Sequence, residues 1–260
     1  MLHTKNYHTF LKLPTLILLL LTTYSSFSQE VVNTIIEGKQ ININEAAEPK
    51  PEYNSLIAPY RDKINRDLDE PLAVCSETLD KSKGQFQSNI GDFLASIVLE
   101  KSDVIFQKRE KKSIDACILN HGGIRAIMPQ GNVSARTAFE ILPFENTAVV
   151  VELKGEQIIE FINYFITEKK PHPIAGLTFS ISAAKKPKNV KIKKEPIVLD
   201  KTYYIVTNDY LANGGDKMDF FKKGTKTFDL DYKMRNILID YMKDVDTIKV
   251  TSEIKVVQEK

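Results

Sequence analysis

The apolar run from Ala148 to Leu153 passes almost directly into an amphipathic pattern from Glu156 to Thr167. The run has the length and β-branched content of a buried strand, and the segment after it has the 3.6-residue period of a helix. A strand joined so tightly to a helix implies a sheet with helices layered on it. Elsewhere strands and helices mix without strict βαβ alternation. The pattern therefore predicts the α+β class, a layered mixed-sheet domain.

Further elements can be placed along the chain. Ile41-Asn42-Ile43-Asn44 reads as one short strand, and Glu45 to Pro51 as a linker. Tyr53, Leu56, Ile57, Tyr60, Ile64 and Leu68 fall on one helical face. Pro71 to Leu79 reads as a strand. Asn89 is the expected cap of a helix whose stripe is Ile90, Phe93, Leu94, Ile97 and Val98. Val104 to Lys112 then leads by a charged loop to a buried strand at Ala116-Cys117-Ile118-Leu119. After Arg125 comes a loop with Pro129 and Gly131, and Ser134 opens a short helix ending at Ile141-Leu142-Pro143-Phe144. Three strands are expected between Leu177 and Asn208, a helix at Met234–Met242, and a closing strand from Thr247 to Val257.

The first 28 residues differ in kind. Lys5 and Lys12 precede Leu16-Ile17-Leu18-Leu19-Leu20-Leu21, and small or hydroxylated residues lead to Ser26-Phe27-Ser28. That order is the one a secretory signal uses, and the run is too short to span a membrane. The expectation is a signal peptide at 1–28, a linker or short strand at 29–50, and one domain over 51–260, exported to the periplasm or the exterior. Of the 36 basic residues, 34 lie beyond Ser28, against 34 acidic ones. Zero formal charge gives no case for general nucleic-acid binding. The lysines at 185, 186, 188, 191, 193 and 194 read as a solvated hairpin and loop rather than a polyanion site. Cys75 and Cys117 fit either a disulfide or two buried free thiols.

Three loops carry the chemistry. Asn120-His121-Gly122-Gly123-Ile124-Arg125 offers an amide, glycines that let a ligand approach the backbone, and a planar fork of donors for an anion. Leu142 to Asn146 exposes Phe144 after Pro143, whose fixed φ can hold the ring. Asn208 to Asp216, a glycine-rich turn, offers Tyr210, Gly214, Gly215 and a carboxylate. Two rings can sandwich a planar base at about 1–3 kcal/mol per contact. An acid can accept from a ribose hydroxyl or base amine, and Arg can meet phosphate. Together these groups describe a nucleotide site.

These stretches, with Glu152-Leu153-Lys154-Gly155 between the second and third, resemble the C-terminal, substrate-binding domain of the 5'-nucleotidase / UDP-sugar hydrolase family over roughly residues 75–225. The resemblance implies that Phe144 and Tyr210 stack on the base. Asn120 and Asp216 would hydrogen-bond base or ribose, Gly123 and Gly215 would be among the substrate-binding residues, and Arg125 would face phosphate. It also places catalysis in a separate N-terminal metallophosphoesterase domain with two metal ions. The chain departs from the family at His121 and Lys217, where Gly or Ala and Gly are usual. It departs again at Lys81 to Ser88, where an Arg is usual and where Lys81 or Lys83 is the available substitute, without the bidentate fork.

A dinuclear metal centre needs several His and carboxylates around ions roughly 3.5–4 Å apart. The chain has four His. His3 and His8 fall in the expected signal, and His121 and His172 stand in no Asp-x-His or Gly-His-x-His setting. The expectation is a nucleotide-recognition domain with no catalytic residue, no metal ligand and no cofactor of its own, acting with a separate metallophosphoesterase chain that carries divalent metals. The alternatives are a self-sufficient hydrolase using Asp209, Asp216 or Glu152, and a structural remnant with an empty pocket.

Overall fold

The structure, a computed structural model, describes residues 36–44, 48, 50–250 and 253–259. The signal-peptide expectation lies outside them. The chain divides into two units, Met1–Lys50 and Pro51–Lys260. The described residues of the first are exposed and without secondary structure, so Ile41–Asn44 is not a strand. No described helix is long and apolar enough to cross a membrane.

The second unit runs α1 (Pro51–Asp69), β1 (Pro71–Cys75), α2 (Asn89–Glu110), β2 (Ala116–Ile118), β3 (Gly131–Ser134), α3 (Ala135–Ile141), β4 (Thr147–Lys154), α4 (Gly155–Glu168), β5 (Ile174–Ala175), β6 (Leu177–Ile181), β7 (Pro187–Ile192), β8 (Glu195–Pro196), β9 (Thr202–Asn208), α5 (Asp209–Ala212), β10 (Thr227–Lys233), α6 (Met234–Asp244), β11 (Thr247–Ile248) and β12 (Val256–Gln258). Its centre is a mixed five-stranded sheet in the order β10-β4-β9-β2-β5. Two smaller sheets, β11-β1-β3 and β12-β6-β7-β8, complete the strand pairing. This is the layered α+β arrangement expected.

Both faces of the central sheet are buried, which is why β4 and β9 read as continuous apolar runs. Alternation assigns the faces. Ala148, Val150, Cys117 and Val206 join α2 and α6 through Phe93, Leu94, Phe106, Ile237 and Leu238. Val149, Val151, Leu153, Ile118 and Ile205 join α4 through Ile158, Phe161 and Phe165. Both cysteines are buried and free, and burial pushes both thiols upward. They are inert, not bridged.

Several expectations are corrected. The α1 stripe forms a helix but buries none of its residues, and Tyr53, Leu56, Ile57, Tyr60 and Ile64 are exposed. Ser88 caps α2, its Oγ accepting from Gly91 N at 3.2 Å. Asn89 instead pins the preceding loop, its Oδ1 accepting from Asp80 N at 2.8 Å. The helix continues to Glu110 and absorbs most of Val104–Lys112. The loop after Arg125 contains strand β3, and Thr227–Lys233 forms strand β10, which the apolar pattern did not reveal. The closing strand is two short strands in different sheets.

The carboxylate of Asp92 on α2 accepts from the buried Lys255 ammonium at 2.9 Å. Gln87 completes the junction. Its Nε2 donates to Asp92 Oδ2 at 3.0 Å and to Glu253 O at 2.9 Å, while its Oε1 accepts from Lys255 N and Val256 N. These polar contacts tie the segment entering β12 to the start of α2.

Candidate functional site

Sheet order brings the three loops together. β2 runs parallel to β9, with Ala116 opposite Ile205, so both strands finish at the same end. β4 runs antiparallel to β9, pairing Ala148 with Asn208. The start of β4 therefore lies where β2 and β9 stop. Loops 119–125, 142–146 and 209–217 must meet at that end.

They enclose a pocket of about 310 Å³ lined by Asn120, Gly122, Gly123, Arg125, Phe144, Asn146, Tyr210 and Asp216. Six of the seven residues expected to bind substrate line it. The seventh, Gly215, lies under the Tyr210 ring, where a Cβ would stand 2.4 Å from Cε1. Only glycine lets the ring lie flat there. At Gly123 a Cβ would stand 2.8 Å from Asn120 Oδ1. Neither Gly122 nor Gly123 adopts positive φ; Gly123 serves close approach, whereas a Cβ at Gly122 would meet only ordinary contacts at 3.5 Å.

Asp216 organises the polar side. Its Oδ1 accepts from Tyr210 Oη at 2.8 Å and its Oδ2 from Asn120 Nδ2 at 2.6 Å. Its own N–H donates to Tyr210 Oη at 3.1 Å, and Tyr164 Oη donates to its carbonyl at 2.8 Å. One carboxylate thus sets both an aromatic ring and an amide, and each oxygen keeps lone-pair capacity for a ligand. Asp216 and Lys217 both take left-handed backbone, φ 53° and 61°. Lys217 therefore adopts a conformation natural to glycine.

Phe144 and Tyr210 are the pocket's exposed rings, 47% and 46% accessible. The Arg125 guanidinium carbon lies 5.7 Å from the Phe144 ring centroid. Among the described residues Arg125 makes no ion pair, and its Nη1 reaches Gly122 O only at 3.5 Å. A second cation stands beside it. Lys81 Nζ donates to Ile124 O, and burial, then the charge of Arg125, lowers its pKa. Lys83 is exposed. The pocket's lining therefore offers two rings, an acid, an amide and the Arg125 cation, with Lys81 near that cation but outside the lining.

Behind the first loop, His121 N donates to His172 Nδ1 at 3.2 Å. His172 is 3% exposed and packs near Tyr164 and Phe165. Its Nε2 finds no partner among the described residues. Burial, reinforced by His121 and Lys170, brings its pKa down to about 4. His121 is lowered as well, first by burial. An unfolded His titrates near 6.5. Between about pH 6.5 and 4 the unfolded chain holds a proton that the folded chain does not, so stability falls as pH is lowered through that window. The expected loss from this group is about 2 kcal/mol between pH 6.5 and 5. Urea denaturation of the wild type and of His172→Asn at both pH values checks this; an equal pH loss in the two proteins refutes it.

Two contributors escaped the sequence. Asn146 lines the pocket, and Arg235 grips the Phe144 loop. Of the two lysines the sequence offered in place of the usual Arg, it is Lys81 that stands beside Arg125. Among the described residues, no cluster of three His, Cys, Asp or Glu could hold a metal ion.

Known proteins are similar to this chain in sequence and fold. A family model described as 5'-nucleotidase, C-terminal domain, matches residues 71–223. The trifunctional nucleotide phosphoesterase protein YfkN of Bacillus subtilis is 26% identical over 218 residues, 77% of this chain and 14% of that protein. Protein UshA of Escherichia coli is 25% identical over 169 residues, 62% of this chain and 29% of UshA. The chain thus spans a minor part of the curated relatives it matches. The 5'-nucleotidase precursor from Thermus thermophilus shares the fold with a TM-score of 0.67 at 23% identity, over 81% of this chain and 44% of that one. Haemophilus influenzae NAD nucleotidase gives 0.61 at 21%, over 81% and 42%.

Proposed function

The chain belongs to the 5'-nucleotidase C-terminal domain family, and from that membership we propose that it is a nucleotide-recognition domain acting in nucleotide catabolism. The observation that supports this reading is the pocket itself. Two exposed rings, an acid–amide pair and the Arg125 guanidinium face one cavity of nucleoside size, with Lys81 close to Arg125. The base would lie against Phe144 and Tyr210, the ribose against Asp216 and Asn120, and the phosphate near Arg125 and Lys81.

In this proposal the domain carries no metal or cofactor of its own. It presents the nucleotide to a separate metallophosphoesterase chain that holds the divalent ions. The amino-terminal pattern adds that the protein is exported to the periplasm or exterior.

Calorimetry on the purified protein tests the reading with AMP, adenosine and UDP-glucose. Heat of binding with at least one, a raised melting temperature, and no phosphate release with Mg²⁺, Mn²⁺ or Zn²⁺ are expected. Arg125→Ala is expected to weaken AMP about ten-fold, roughly 1.4 kcal/mol, and to leave adenosine unchanged. Absence of heat with every ligand refutes recognition, and phosphate release by the pure protein refutes dependence on a partner.

A further inference from the structure

We infer that Arg235 is a positioning residue that fixes the Phe144 ring for base stacking, an inference that rests on the nucleotide reading above. Arg235 is the second residue of α6 and is 7% exposed. Its Nε donates to Leu142 O at 2.9 Å. Its Nη2 donates to Pro143 O at 3.1 Å, Phe144 O at 3.1 Å and Glu145 Oε1 at 2.7 Å. The guanidinium carbon stands 3.9 Å from the Phe139 ring centroid on α3. The two preceding residues extend the grip. Lys233 Nζ donates to Glu145 O and Met234 N donates to Asn146 O, both at 2.9 Å. Five consecutive carbonyls, Leu142 to Asn146, thus accept from Lys233, Met234 and Arg235.

The loop needs this. It belongs to no helix or strand, and Phe144 and Glu145 are exposed. Packing cannot fix a half-exposed ring, so its backbone must be held instead. Pro143 restricts one φ, but only a donor fork can bind neighbouring carbonyls at once. A buried guanidinium is a poor choice for packing alone, because its charge must be matched by acceptors. Here most of those acceptors are the backbone of one ligand-facing loop. The anchor of α6 is apolar and separate, since Met234, Ile237, Leu238 and Met242 bury it in the core. Arg235 therefore acts through Phe144 and touches no ligand.

Two measurements test this. The chain contains no Trp, so Phe144→Trp introduces a single indole whose anisotropy decay reports the loop without ligand. Adding Arg235→Met to that variant is expected to produce a large fast component. Separately, in the Phe144 background, Arg235→Met is expected to weaken AMP about ten-fold while changing ribose 5-phosphate less than two-fold. Arg235→Lys, which keeps the charge but loses the fork, should fall between. Equal loss of both ligands, or loss of neither, overturns the inference, as does an unchanged anisotropy decay. If Arg235→Met does not fold, Arg235→Lys decides by the same readouts. Wild-type protein that binds no AMP sinks the nucleotide reading and this role with it. Intact AMP binding beside an indifferent Arg235→Met sinks only the role of Arg235.

Discussion

Asp92→Ala is expected to cost about 3–5 kcal/mol of folding stability, the usual result of removing one member of a buried ion pair. The change leaves Lys255 buried at 6% exposure with no carboxylate, and frees Gln87 Nε2 from one of its two acceptors. For a domain of this size that is a fall of roughly 10 °C or more in melting temperature. It is a large share of a typical total of about 5–15 kcal/mol. Thermal or urea unfolding of the single variant measures it. The paired variant Asp92→Leu with Lys255→Met should recover most of the loss, because apolar replacement of both partners leaves no unpaired charge. A single variant within about 1 kcal/mol of wild type would contradict the assignment of this junction, by the same reasoning.

Asp216→Ala is expected to abolish most nucleoside affinity, about a hundred-fold or 2.7 kcal/mol, with little change in stability because the side chain is exposed. The carboxylate orients Tyr210 and Asn120 at once, and hydrogen bonds to a charged group contribute about 1.5–3 kcal/mol each. Truncation releases the ring and the amide together and deletes the acceptor offered to ligand. Asp216→Asn, which keeps the shape but not the charge, should lose less. Titration with adenosine and AMP reads the effect. Affinity within two-fold of wild type would show that the clasp is not part of recognition.

The elements readable from sequence were those whose apolar period was long. β4, α4 and the α2 stripe are buried on the faces their spacing specifies. The edge strands were hidden because edges tolerate charge and glycine. β10 alternates buried Phe228 and Leu230 with exposed Asp229 and Asp231, and β3 opens with Gly131 at positive φ. Periodicity identified α1 as a helix but could not tell an inward face from an exposed one. In the site, three loop motifs stood out because each carries unusual chemistry within a few residues. Arg235 gave no such sign. Its role exists only where α6 meets loop 142–146.

Because the pocket is assembled at the tips of β2, β4 and β9 while both sheet faces are filled behind it, each loop is a detachable lip on a fixed rim. On the nucleotide reading proposed above, preference for one base or another can drift through a single lip, one substitution at a time, and neither core need be renegotiated.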